Sequence, residues 1–126
     1  MGQRYLIDTN IVIAYLNGTL PDIAAYLIEE ERPCISVITR IELLVWRNAS
    51  EEHISKMHEF INASIVFNLE EQIILKTIEL RKQHRIKLPD VIIAATALTH
   101  NLQLITRNSE DFKNIGELQI INPFVL

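Results

Sequence analysis

Four acidic residues stand at one kind of position in the predicted order of strands and helices: at or just after the end of a strand, or in the first turn of a helix. They are Asp8, Glu42, Asp90 and Asp111. Asp8 directly follows the apolar run 5–7. Because the carboxyl ends of parallel strands share one edge of a sheet, where open α/β folds bind ligands, Asp8 points to a functional site at that edge.

Carboxylates that converge at such an edge repel one another, and this repulsion raises their pKa values unless a cation neutralises them. Carboxylate oxygens are hard ligands, so the metal expected here is Mg²⁺ or Mn²⁺. Zn²⁺ is disfavoured because the histidines follow no metal-ligand spacing; they are His53, His58, His84 and His100. The acids therefore predict a divalent metal site.

Helix capping is the alternative role for each acid taken alone, since a carboxylate in the first helical turn accepts from free backbone N–H groups and complements the helix dipole. The run Thr39-Arg40-Ile41-Glu42 has the pattern of a capping box, and Asp90 after Pro89 suits a helix start. Capping does not explain why Asp8 closes a buried strand while another acid precedes the most apolar helix of the chain.

The elements that must position these acids follow from hydrophobic periodicity. Short β-branched runs alternate with segments of helical period, which predicts an α/β fold with a mostly parallel sheet covered by helices. Strands are predicted at residues 5–7, 34–36, 65–67, 103–105 and 119–121. Helices are predicted at residues 11–16, 21–31, 37–49, 51–62, 70–84 and 90–100, with a short one near Ser109. No linker or repeat interrupts the alternation, so residues 1–126 are expected to form a single domain.

Composition fits an ordinary globular protein, since 48% of the 126 residues are hydrophobic and 22% are charged. Cys34 has no second cysteine to pair with in the chain, which is consistent with a reducing compartment. The first residues lack the pattern of a signal peptide, and charged residues interrupt every long apolar run. We therefore expect a cytoplasmic location and no membrane segment.

The net charge of −4 argues mildly against nucleic-acid binding, because nucleic-acid-binding proteins usually carry a basic excess. Arg40, Lys87 and Arg107 nevertheless flank the acids and could contact phosphates. The basic residues at positions 81–87 have a second explanation as the solvated end of a helix, where positive charge is favourable. The sequence leaves both explanations open.

Four segments resemble, in order and spacing, the successive blocks of PIN-domain toxins of the VapC type, over almost the whole chain. They are YLIDTNIVI (5–13), ISVITRIEL (35–43), LPDVIIAATA (88–97) and LITRNSEDF (104–112). The resemblance implies a PIN-like α/β/α sandwich around a central parallel sheet of about five strands. It also implies an endoribonuclease that requires Mg²⁺ or Mn²⁺ and uses water to leave a 3′-hydroxyl and a 5′-phosphate.

Residue by residue, the resemblance places Asp8, Glu42 and Asp90 at the three most regular acidic positions of the family. The fourth position is taken either by Asp111 or by Asn108, and Asp111 is the better candidate for a charged ligand. All four acids are thus expected to be catalytic and metal-binding.

Polar support for these acids is also implied by the resemblance. Asn10 and Thr106 match polar positions that support the metal ligands in the family, and Asn108 would act there if Asp111 is the ligand.

The resemblance further implies partners: RNA as substrate, a cognate VapB-like antitoxin as inhibitor, and a second copy of the chain in a homodimer. We expect the antitoxin to insert an Arg or Lys among the acids. Its apolar residues should pack between the first two helices. The residues predicted to line that groove are Leu16, Leu20, Ile23 and Leu27.

Other functions remain open. The chain could be a PIN-fold nuclease outside a toxin–antitoxin system, a DNA nuclease with the same metal chemistry, or a non-catalytic PIN interaction module whose acids only cap helices. A phospho-receiver domain also groups acids at strand ends. It would need paired acids near the first strand and a lysine after a late strand, whereas Asp8 stands alone and Arg107 is not lysine.

Overall fold

A five-stranded sheet forms the centre of the computed structural model, which describes residues 4–125. The strands are β1 (Tyr5–Ile7), β2 (Cys34–Ser36), β3 (Ile65–Phe67), β4 (Gln103–Ile105) and β5 (Ile120–Ile121). They lie in the order β3-β2-β1-β4-β5, and every neighbouring pair is parallel. The predicted parallel sheet is therefore confirmed, with β5 starting one residue later than expected.

Within residues 4–125, seven helices connect and cover the strands. They are α1 (Thr9–Leu16), α2 (Asp22–Glu30), α3 (Val37–Leu44), α4 (Glu51–Ala63), α5 (Glu71–Gln83), α6 (Leu88–Thr99) and α7 (Ser109–Phe112). A 3₁₀ turn at Pro123–Val125, which the sequence analysis did not predict, follows β5.

Neighbouring residues of each central strand enter different cores, as the twofold period of a strand requires. Leu6 packs into a cluster with the buried residues of α5 and α6, whereas Ile7 packs into a second cluster with α1, α2 and α4. In β4, Leu104 likewise packs into the first cluster and Ile105 into the second. The sheet thus has a core on each face, which confirms the α/β/α sandwich.

Helix α3 begins without a loop, directly after β2. Ser36 is both the last strand residue and the N-cap, and its Oγ accepts a hydrogen bond from the Ile38 N–H at 3.1 Å. The predicted capping box starting at Thr39 is therefore wrong, and Glu42 lies in the second turn rather than the first. The helix ends at Leu44, earlier than predicted, and Ser50 is the N-cap of the next helix, whose residue His53 donates its N–H to the Ser50 hydroxyl.

Helix α6 runs through the first cluster, with every residue from Val91 to Ala97 buried. It ends where Asn101 adopts a positive φ of 54° and the Leu102 N–H donates to the Ala97 carbonyl at 2.9 Å, a turn that leads into β4. Among residues 4–125, neither this helix nor any other combines the length and the apolar character that crossing a membrane requires.

Candidate active site

Asp8 lies at the junction of β1 and α1 and is the N-cap of that helix. Its Oδ1 accepts a 2.8 Å hydrogen bond from the Thr9 N–H, and only 4% of the residue is exposed. The acid that the sequence analysis selected as functional is therefore also a helix cap. A carboxylate this deeply buried carries a high desolvation cost, which a cap on the surface of a protein does not.

Thr106, immediately after β4, supports the other oxygen of this carboxylate. The fully buried Thr106 hydroxyl donates to Asp8 Oδ2 at 2.8 Å and accepts from the Asn108 N–H at 3.0 Å. Because β1 and β4 are neighbours in the sheet, two residues that are far apart in the chain meet at its carboxyl edge. The structure thus places Thr106 where a polar support for Asp8 was predicted.

Glu42 reaches the same edge from α3. Its Oε1 accepts a 2.6 Å hydrogen bond from the Thr9 hydroxyl, which also lies 3.1 Å from the hydroxyl of Thr39. Thr9 therefore joins the Asp8 cap to Glu42, a role that the sequence analysis missed. The only signal for it in the sequence was its place between two residues already selected, Asp8 and Asn10.

The other acids act electrostatically on the pKa values of Asp8 and Asp90. Burial raises the pKa of Asp8 from 3.8 to about 6; hydrogen bonds from Thr106 and Thr9 oppose this rise, and the charges of Asp90 and Glu42 add to it. Burial also raises the pKa of Asp90, with the charges of Asp111 and Glu42 acting in the same direction and Lys87 opposing them.

Two asparagines form hydrogen bonds with the backbone of the loop after β4. Asn10 accepts from the Arg107 N–H at 3.3 Å through its side-chain oxygen. Asn122, beyond β5, donates to the Arg107 carbonyl at 3.1 Å and accepts from the Phe124 N–H at 3.0 Å. The Arg107 guanidinium in turn lies 4.2 Å from the centre of the Phe124 ring. We call Asn122 and Phe124 the clasp; the sequence analysis identified neither residue.

Asn108, the alternative fourth ligand, is the N-cap of α7, and its side chain makes no capping hydrogen bond. Its backbone N–H is the group that contacts Thr106. Asp111 sits one turn further and acts electrostatically on Asp90. Of the two, Asp111 is the one whose charge acts on another of the four acids, Asp90.

The donor set fits a hard divalent cation, because it consists of carboxylates that repel one another and of which the most buried has a raised pKa. Within residues 4–125, no group of three or more His, Cys, Asp or Glu side chains is arranged to hold one metal ion by itself. Mg²⁺ does not require such a cage, since it usually keeps several waters and binds through one or two carboxylates together with substrate phosphates.

A cavity of about 380 Å³ adjoins the acids. Asp90, Glu110 and Asp111 form part of its lining, together with Arg85 and Lys87. Of the basic residues at positions 81–87, the two that follow α5 therefore border the acidic site, whereas Arg81 and Lys82 lie in the last turn of that helix.

A separate apolar groove of about 450 Å³ lies between α1, α2 and α4, lined by Leu16, Ile28 and Phe60 among others. Of the four residues predicted to line this groove, Leu16 lines it and the other three lie elsewhere. Leu20 is buried in the protein's own core, and Ile23 is 57% exposed and outside the groove. Leu27 lines a smaller neighbouring cavity, since α2 turns it toward β1.

Residues 5–118 match the family model of the PIN domain. The chain belongs to the PIN-domain family. All four acids lie within the matched residues. The resemblance to PIN domains that the four sequence blocks indicated is thereby confirmed.

The relatives of this PIN domain include toxin proteins. A Ribonuclease VapC from Rickettsia bellii (strain RML369-C) is 29% identical over 125 residues, covering 92% of this chain and 93% of that one. A toxin–antitoxin complex from Klebsiella pneumoniae contains a chain that is 32% identical, with a TM-score of 0.77, covering 94% and 97%. VapBC-1 from nontypeable Haemophilus influenzae contains one that is 30% identical, with a TM-score of 0.78, covering 97% and 99%.

Proposed function

We propose that this chain is a metal-dependent endoribonuclease and the toxin of a type II toxin–antitoxin pair. The observation that carries the proposal is the buried Asp8 carboxylate, which is held by Thr9 and Thr106 and whose pKa is affected by the charges of further acids at the same sheet edge. A binding module that used its acids only as caps would gain nothing from placing mutually repelling carboxylates together. The similarity to a protein named Ribonuclease VapC supports RNA as the substrate.

Asp8 and Asp90 are the proposed principal metal ligands, and Glu42 and Asp111 complete the site directly or through water. When bound, Mg²⁺ or Mn²⁺ supplies activation of water and stabilisation of charge on the phosphoryl oxygens. Thr106 and the Thr9 N–H each use one oxygen of Asp8, which fixes the plane of the carboxylate. The Thr9 hydroxyl fixes Glu42 at the rim of the site.

The proposed reaction adds water at phosphorus and breaks the bond to the 3′ oxygen, leaving a 3′-hydroxyl and a 5′-phosphate. Arg107 is held over Phe124 at the loop beside Asp8, where its cationic side chain can meet the RNA backbone. The negative net charge is compatible with this function because the cations near the acids act locally.

The proposed inhibitor is a small antitoxin protein, since the similar solved structures are described as toxin–antitoxin or VapBC complexes. Its apolar residues would lie in the groove between α1, α2 and α4, which presents Leu16 and Phe60. An Arg or Lys from the antitoxin would then occupy the acidic site in place of metal or RNA.

A homodimer and a cytoplasmic location remain predictions. Helices α3 and α5 expose several large aliphatic side chains that a second copy could cover: Ile41, Leu44, Val45, Leu75 and Ile78.

The test is to incubate purified protein with total RNA and with single-stranded DNA, each with Mg²⁺ and with EDTA, and to map the ends produced. We expect cleavage of RNA only with the metal, and none by the Asp8→Asn variant. Cleavage in EDTA, or equal cleavage by the folded Asp8→Asn protein, would contradict the metal mechanism. Preferential cleavage of DNA would move the chain to the alternative nuclease class.

A further inference from the structure

The 380 Å³ cavity beside the acids is lined by side chains of both charges. The segment between α5 and α6 contributes His84, Arg85, Ile86 and Lys87. The start of α6, together with α7 and the residues after it, contributes Asp90, Glu110, Asp111 and Asn114. A ligand in this cavity would therefore meet cations from the first segment, and three carboxylates and an amide from the second.

The segment between α5 and α6 offers side chains that can bind a nucleotide. The Arg85 and Lys87 side chains supply donors for a phosphate group, with arginine able to form a bidentate contact. Between them lies the half-buried aliphatic side chain of Ile86, which packs against the core cluster of α5 and α6 and offers a fixed apolar surface for a base. A volume of 380 Å³ lies within the range of pockets that bind small molecules, which begins at about 300 Å³.

Asn114, which also lines the cavity, has a side chain that can distinguish bases. The Asn114 amide carries both a donor and an acceptor, so it can form paired hydrogen bonds with the edge of a base. The cavity is continuous with the proposed reaction centre, because Asp90 and Asp111 belong to both.

We infer that this cavity is a nucleotide subsite, which binds the unpaired RNA nucleotide next to the cleaved phosphate through Arg85 and Lys87 and reads its base through Asn114. The inference rests on the proposed ribonuclease function and extends it to substrate choice. An RNA whose adjacent nucleotide is paired in a helix would not fit, since its base edge would already be occupied.

Binding can be measured without cleavage. The four nucleoside 5′-monophosphates are titrated into the EDTA-treated protein, and amide NMR shifts are followed. We expect saturable shifts centred on residues 84–87 and 110–114, with unequal affinities for the four bases that become more alike in Asn114→Ala. Shifts centred elsewhere, or base preferences that Asn114→Ala leaves unchanged, would overturn the assignment of this cavity.

Arg85→Ala is compared with Arg81→Ala, which removes the same charge one turn earlier, beside a separate cavity bordered by Ile78 and Leu88. We expect Arg85→Ala to raise KM for a single-stranded oligoribonucleotide about tenfold, as loss of one charge-assisted phosphate contact predicts. Arg81→Ala should have little effect. Equal effects of the two variants would refute the subsite while leaving the ribonuclease intact, whereas failure of the wild-type protein to cut RNA would refute the proposed function instead.

Discussion

The Thr106 hydroxyl donates a 2.8 Å hydrogen bond to Asp8 Oδ2 across 98 positions of the chain. This bond joins the ends of two neighbouring strands and lowers the pKa of Asp8 against the effect of burial. Replacing Thr106 with valine keeps the shape of the side chain but leaves the carboxylate without this donor. We expect Thr106→Val to lose about 2 kcal/mol of stability at neutral pH and to shift the acid limb of the pH–rate profile to higher pH.

The matched control for that variant is Thr77→Val. Thr77 is also buried and donates to the Ile73 carbonyl at 2.7 Å, within α5. It should change stability without moving the pH–rate profile. A Thr106→Val enzyme with an unchanged profile would show that the bond does not set the charge of Asp8.

The stability of the metal-free protein should fall as pH rises. The folded-state pKa of Asp8, about 6, exceeds its ordinary value of 3.8, so between these values the folded protein binds a proton that the unfolded chain does not. Stability from this group is therefore present at low pH and lost as pH rises through 6, by about 3 kcal/mol in total. Denaturant unfolding in EDTA from about pH 4 to pH 7 measures this loss.

The control for this pH dependence is Asp8→Asn, whose side chain cannot ionise. The difference in unfolding free energy between wild type and Asp8→Asn should change with pH in the direction just given. A difference that stays constant over this range would mean that the Asp8 carboxylate has its ordinary pKa.

The acids should contribute unequally to cleavage. Asp8→Asn and Asp90→Asn should abolish activity while the fold is kept or made more stable, because each removes a charge that burial disfavours. Glu42→Gln should also be severe. Single-turnover rates on one RNA, with circular dichroism as the folding control, provide the comparison.

The fourth position can be assigned by a pair of variants. Asp111→Asn should reduce the rate more than Asn108→Ala, because alanine retains the backbone N–H that Asn108 donates to Thr106. The reverse order would transfer the role of fourth ligand to Asn108.

Divalent metal should stabilise the wild-type protein. Mg²⁺ or Mn²⁺ that binds only the folded state raises the free energy of unfolding by mass action, by about 2.7 kcal/mol at a hundredfold excess over Kd, and so raises the melting temperature. The shift should be absent in Asp8→Asn, and Zn²⁺ and Ca²⁺ should not support comparable turnover. A wild-type melting curve that is unaffected by either metal at neutral pH would refute the proposed metal site.

Inhibition by the antitoxin should depend on both partners. Alanine in place of the antitoxin's basic residues should weaken inhibition if one of them enters the acidic site. On this chain, Leu16→Glu should weaken binding because Leu16 lines the apolar groove, whereas Ile23→Glu changes an exposed residue outside it and serves as control. Equal binding by these two variants would place the antitoxin elsewhere.

Much of the architecture could be predicted because the signals are local. Four strands were predicted with their observed bounds, since short β-branched runs between turns have few alternatives. The buried character of α6 followed from its unbroken apolar sequence. Asp8 was predicted because a charge that directly follows a buried strand is not explained by capping alone.

The errors came from contacts that the linear sequence does not display. The capping box at Thr39 was wrong because Ser36 ends β2 and caps α3, which places Thr39 inside the helix. Thr9 was missed because its partner Glu42 is brought to it by another helix. The clasp was missed because Asn122 and Phe124 lie beyond every segment with a recognisable motif, and only the pairing of β4 with β5 brings them to Arg107.

Because the ribosome synthesises a chain from its amino end, the two residues of the Asp8–Thr106 contact are made at different times. Asp8 leaves the ribosome 98 residues before the hydroxyl that orients it. The Thr106 N–H itself bonds to the Ile121 carbonyl at 3.0 Å, so its strand is completed later still. The hydrogen bonds around Asp8 therefore cannot all form in a nascent chain until β4 and β5 have been synthesised.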